Sequence, residues 1–229
     1  STNQMLMVGD KVVLLGGHAD QFRSYATVAV VDVSRPEKPV LASRLQVEGT
    51  VVSARLIGGV PRIVLHSGGP EVRFAQYDGD DGKATAENRQ TIESSGLEAW
   101  IPNWSMTEGP KKGSSGRLVG FDDVYRPPSF AGFGLLTVMT LNMADPSASD
   151  ASSVLADGTT VYASASRLYV GSNGWGQVTA QSVAPVNETL VHAFDVSAAD
   201  RAVYKVSGKV SGFVKGQFSF SEHEGVLRV

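Results

Sequence analysis

The chain contains no cysteine, which excludes a disulfide framework, thiol catalysis and cysteine-ligated zinc. Charge of one sign is lacking too. The 20 Lys and Arg residues are matched by 23 Asp and Glu, for a net charge of only -3, and the basic residues form no cluster. Nucleic-acid binding needs a basic stripe that neutralises phosphates, so that class of partner is not expected. Apolar runs are short: no stretch of 18 such residues exists and no basic-then-apolar segment opens the chain. The expectation is a chain with neither a transmembrane segment nor a signal peptide of its own.

What is present is β-structure. Segments such as "KVVLL", "ATVAVVDV", "RIVLH", "LLTVMTL", "RLYVG" and "LVHAFDV" are rich in β-branched and aromatic residues and are bounded by Gly, Asp, Ser or Pro. Gly9-Asp10, Gly58-Gly59, Asp157-Gly158 and Glu224-Gly225 fall between strands, where glycine supplies the positive φ of tight hairpins. Helix signal is confined to "KATAENRQTIESSGLEAW", where Ala86, Arg89 and Gln90 favour one helix of two to four turns and Gly96 stops it.

These segments recur in one order three times. A strand ending in an aspartate-type turn leads through a second strand to a Gly, then to two strands joined by a short turn. Asp32, Asn142 and Asp195 fall at equivalent places. With the four strands of a repeat labelled A to D from inside to outside, the chain reads B-C-D, then A-B-C-D twice, then A-B, about thirteen strands in all. "SARLI", "VYASA" and "FSFSE" are the expected A strands. Repetition on this scale predicts an all-β β-propeller of about three four-stranded antiparallel blades. A β-sandwich is the alternative, but it does not account for a repeat of about 50 residues with equivalent turns. The whole chain, residues 1–229, reads as a single propeller domain or fragment. Residues 69–130 interrupt the second repeat as a polar, Gly- and Pro-rich insertion carrying the helix. A loop of that length should hold ordered pieces of its own, with Leu97, Trp100, Ile101 and Trp104 packing onto a face of the sheets.

Several separate stretches resemble one family, the bacterial and archaeal secreted-type β-propellers distantly related to WD-repeat proteins. "VVDVSRPEKPVLASRLQVEG" resembles the family's strand-turn-strand unit. "NRQTIESSGLEAWIPNW" resembles its helical insertion, and "DDVYRPPSFAGFGLLTVMTLNM" the return into the next blade. "SASRLYVGSNGW", "TLVHAFDVS" and "GQFSFSEHEGVLRV" resemble its late blades. The resemblance implies an extracellular or cell-surface propeller with no established reaction. Relatives carry further blades on both sides, an upstream export signal or lipid anchor, and a cysteine near the position of Phe121. Three blades are too few to close a ring. The expectation is therefore a partial propeller that lacks the A strand of its first repeat and pairs its open edges with further blades or with another copy.

Chemistry is sparse. His18, His66, His192 and His223 show no metal-ligand spacing, and His66 and His192 read as strand residues. "YDGDDG" (Tyr77 to Gly82) departs from a calcium loop at its fifth and sixth places. No G-x-S-x-G elbow or phosphate-binding glycine loop occurs, and carboxylate pairs such as Asp122-Asp123 or Glu222 and Glu224 read as surface groups. No metal or cofactor is expected. The candidate binding residues are Trp104 in the insertion and Trp175, in "GSNGWGQ" with Asn173, expected on a loop after a B strand, where an exposed Trp offers a large contact area. The functional expectation is a noncatalytic binding or scaffold module contacting a protein or glycan. The alternative is a hydrolase- or lyase-type propeller enzyme with its site at the channel mouth.

Overall fold

The computed structural model describes residues 3–21, 23–69, 72–76, 79, 81–175 and 187–229. Its first sheet begins with β1 (Gln4–Val8), β2 (Lys11–Ala19), β3 (Ser24–Asp32) and β4 (Val40–Glu48), in that spatial order and antiparallel throughout. The second contains β5 (Thr50–Ile57), β6 (Val60–Ser67), β10 (Leu135–Thr140) and β11 (Asp150–Leu155). The third is β12 (Thr160–Ala163), β13 (Arg167–Trp175), β14 (Asn187–Asp195) and β15 (Val203–Ser211). A two-stranded sheet, β16 (Ser221–His223) and β17 (Val226–Arg228), follows. The inner strands adjoin, β1 against β5 and β5 against β12, so the sheets are blades of a partial propeller.

The repeat is visible in the turns. After β3 and β14, Asp32 and Asp195 each accept hydrogen bonds from the N–H and hydroxyl of the serine two residues on. After β10, Asn142 accepts instead from the N–H groups of Ala144 and Asp145. These side chains fold the chain back toward the outer strand by standing in for a backbone turn. Glu224 and Gly225 both adopt positive φ, as the two-residue turn between β16 and β17 demands, and Gly58-Gly59 does the same between β5 and β6.

Four expectations need correction. The first repeat does have its A strand, β1, because "QMLMV" alternates half-buried and exposed positions even though methionine is not a β-branched strand former. Asp157-Gly158 is no hairpin; it carries the chain from β11 to β12 in the next blade, and Gly158 does not have positive φ. In "FSFSE", Gln217–Ser219 forms a 3-10 turn and β16 starts only at Ser221. Beyond packing Ile101 and Trp104 against the first blade's core residues, the insertion also adds strands to sheet edges, which the one expected helix does not supply. After α1 (Asp81–Ser94) and a 3-10 turn at Leu97–Trp100, β7 (Asn103–Glu108) pairs with the outer edge of β4, and β8 (Ser115–Arg117) pairs with β7. β9 (Val124–Tyr125) lies parallel on the outer edge of β11. Of its apolar residues Ile101 is buried, Trp100 and Trp104 are half-buried and Leu97 is exposed.

The core lies between blades. One cluster joins Val13, Val28 and Leu45 of the first blade to Ile63, Leu65 and Met139 of the second. Another joins Val64, Leu136 and Val138 to Leu168, Val170 and Phe194 of the third. Every residue of β10 is buried, since alternate side chains serve the two clusters. Among the described residues no helix is long and apolar enough to cross a membrane.

Candidate functional site

The connections from B to C strands and the crossings from D to the next A strand all emerge at one end of the blades. Ala19, Glu48, Ser67 and Trp175 end their strands there, and Ser24, Thr50 and Leu135 begin theirs. At the first crossing a single residue, Gly49, links β4 to β5 with φ of 119°. A Cβ on it would stand 2.6 Å from the His66 carbonyl oxygen, so only glycine lets the two blades meet this closely.

A cleft of about 1120 Å³ opens at this end between the first two blades and the insertion, lined among others by Tyr25, Glu48, His66, Arg73, Trp100 and Asn103. Its side wall is a fixed network. Glu48 pairs with the Arg23 guanidinium and, through its other oxygen, accepts hydrogen bonds from the Asn103 backbone N–H at 2.7 Å and side-chain amide at 3.2 Å. One carboxylate thus ties the end of the first blade to the start of β7. Tyr25 stacks on His18 with ring centroids 5.2 Å apart, and Trp100 donates its indole N–H to Ser95 at 2.9 Å.

Beside the cleft His66 Nε2 lies 2.7 Å from Asp157 Oδ1, and the Gly134 N–H donates to the same oxygen at 3.3 Å. The sequence Gly132-Phe133-Gly134 makes this approach feasible. A Cβ at Gly134 would fall 2.2 Å from His66 Nε2, and one at Gly132, whose φ is 128°, would fall 2.2 Å from Asp157 Oδ2. The same segment leaves two aromatic side chains in solvent. Phe130 is 69% exposed and Phe133 76%, and the rings meet edge to face with centroids 4.9 Å apart. Phe133 neighbours Gly69, which lines the cleft.

The three residues singled out from sequence all lie toward this end but do not meet. Trp104 sits on β7 opposite Val47, half-buried over Gly116 and packed against the first core cluster. Asn173 is an exposed residue of β13 opposite Thr189. Trp175 closes β13 opposite Asn187, and its side chain lies outside the described residues, as do Tyr77, Asp78 and Asp80 of the acidic turn. Sequence reasoning missed Phe130 and Phe133. Two phenylalanines within the Pro- and Gly-rich "RPPSFAGFG" were the available signal.

His192 is a core residue, fully buried in β14, with its Nδ1 2.6 Å from the Ser207 hydroxyl. Burial pushes its pKa down to about 4, so the ring is neutral at pH 7. Among the described residues no three His, Asp or Glu side chains converge on one point.

Inter-blade packing with a polar cleft at the mouth defines a propeller-type domain. The chain belongs to the β-propeller domain family: a family model described as "Beta propeller domain" matches residues 1–229. No curated protein and no solved structure matches the chain.

Proposed function

We propose that this propeller is a noncatalytic binding module and that its recognition surface is the blade end carrying the cleft and the Phe130–Phe133 pair. The observation that carries this reading is the pair itself. Two large apolar rings in solvent lose favourable burial, and such exposed aromatics beside a polar cleft are the composition of a protein-contact hot spot. The partner is a protein segment that covers the rings with apolar side chains and places polar groups in the cleft beside Glu48, Arg73 and Asn103. Export to the cell surface of a prokaryote is part of the same proposal, supported by the resemblance of the strand-turn-strand unit, insertion and late blades described above.

The test is selection of binders from a displayed peptide library and, in parallel, from a glycan array, using the unaltered chain and the Phe130→Ser/Phe133→Ser double variant. Peptides that carry an apolar residue and lose tenfold or more in affinity to the double variant support the proposal. Selected glycans, or peptides that bind both proteins equally, overturn it.

The His66–Asp157 pair favours a second reading, the hydrolase- or lyase-type enzyme. A carboxylate 2.7 Å from an imidazole orients it as a general base, and this imidazole borders a cleft large enough for a substrate. Turnover of an ester or glycoside panel that disappears in His66→Gln, with the fold retained, would establish this reading in place of the first.

A further inference from the structure

The three blades treat their outer strands differently. The insertion covers the outer edge of β4 with β7 and that of β11 with β9, whereas among the described residues no strand pairs with the outer edge of β15. An uncovered nine-residue strand presents a row of backbone donors and acceptors to any extended segment that fits.

The first blade shows what fits. β4 and β15 are built alike: each carries one extra residue against its inner neighbour, Ala42 between Leu41 and Ser43, and Lys205 between Tyr204 and Val206. Aligned on this bulge, Arg44, Leu45, Gln46 and Val47 of β4 correspond to Ser207, Gly208, Lys209 and Val210 of β15. The covering strand β7 runs antiparallel over those four residues, setting Trp104 opposite Val47, Met106 opposite Leu45 and the acidic Glu108 opposite Arg44. On β15 the exposed side chains ask for the same kind of occupant. Val206 and Val210 are 59% and 37% exposed on one side of the strand, and Lys209 stands on the other, held by Glu188 at 2.9 Å. Lys205, at the bulge, adds a second cation.

In the register centred on Ser207 a second copy of the chain fits poorly. Antiparallel self-pairing centred on Ser207 would set Lys205 of one copy against Lys209 of the other, and like charges directly opposite repel. We infer that the outer edge of β15 is a strand-addition site for an extended peptide in which apolar residues alternate with acidic ones, a carboxylate lying opposite Lys209. This site is separate from the blade-end surface proposed above.

The probe is a fluorescein-labelled nine-residue peptide of alternating valine and glutamate, with a valine–lysine peptide as its counterpart. Anisotropy measures affinity, and amide hydrogen exchange locates the contact. The valine–glutamate peptide is expected to bind at least tenfold more tightly than its counterpart and to slow exchange tenfold or more at amides within Ser207–Ser211. Lys209→Gln, which removes one side of an exposed ion pair and leaves the fold intact, should weaken binding about tenfold. Four results would overturn the inference: no binding at millimolar peptide, equal binding of both peptides, protection confined to another strand, or a doubled mass without peptide, which would make a second copy the occupant.

Discussion

At the residue scale, the buried polar groups of the blades make the sharpest predictions. His192 has a pKa near 4 in the fold against about 6.5 in an unfolded chain. Its depressed pKa means that the unfolded state takes up the proton first. The associated stability is complete above pH 6.5 and is lost as pH falls from there toward 4, an effect of about 3 kcal/mol. Asp195, held down to about 2 chiefly by the Ser197 hydroxyl, loses its contribution only below about pH 4, while Asp150, raised by burial, acts in the opposite sense. Urea unfolding of the unaltered chain at pH 7 and at pH 4.5 should therefore show a loss that His192→Gln largely removes. Arg62 makes a second case. It is 1% exposed, and from β6 its guanidinium reaches the Thr140 hydroxyl and the Val196 and Ala198 carbonyls in the turn of the third blade. Replacing it by methionine keeps an unbranched chain but strands those acceptors, so Arg62→Met is expected to lower the unfolding free energy by about 1–3 kcal/mol. A loss below 1 kcal/mol would show that water replaces the guanidinium there.

At the scale of elements, the two-residue turn of β16 and β17 is a place where local chemistry can be improved. Glu224 adopts a φ of 50°, a left-handed conformation that a side chain with a Cβ resists. Asn-Gly is the favoured pair for such a turn. Glu224→Asn should stabilise the hairpin by about 0.5–1 kcal/mol, read as roughly two- to fivefold slower amide exchange in β16 and β17. Turns of this kind were the legible part of the sequence, because glycine and Asx residues act within a few positions of themselves. Asp32, Asn142 and Asp195 announced the repeat, and the order of B, C and D strands followed from it. The strands that escaped notice are those specified by distant partners. β1 has a weak intrinsic signal and is held by β2, while β7 and β9 gain strand character only against the edges of β4 and β11. The site was legible to a smaller degree for the same reason. Trp104 advertised a contact surface but is spent on packing over Gly116, whereas the His66–Asp157 pair joins residues 91 positions apart.

At the scale of the whole molecule, the blades form a stack whose two large core clusters each join one adjacent pair of blades, so stability should be graded along it. The second blade is buried on both faces; the first turns Met5, Met7 and Leu14 outward, exposed by 68%, 63% and 43%. The two-stranded sheet at the other end is fixed by few groups. Phe220 packs with Tyr169, Val191 and Ala193 of the third blade, Tyr162 accepts a hydrogen bond from the Glu222 N–H at 3.0 Å, and Arg55 donates to Gln217 at 2.6 Å. Two strands alone are barely stable in water, so this sheet owes its order to that anchor. Amide exchange should be slowest in β6 and β10, intermediate in β2, β3, β13 and β14, and fastest in β16 and β17. Phe220→Ala removes most of the apolar contact and should cost about 3–5 kcal/mol locally. If the stack behaves as neighbours coupled pairwise, that variant frees β16 and β17 to exchange at nearly unprotected rates while β6 and β10 are unchanged. If instead exchange accelerates equally in every blade, the blades unfold as one cooperative unit, and the inter-blade clusters transmit the loss through the third blade to the second.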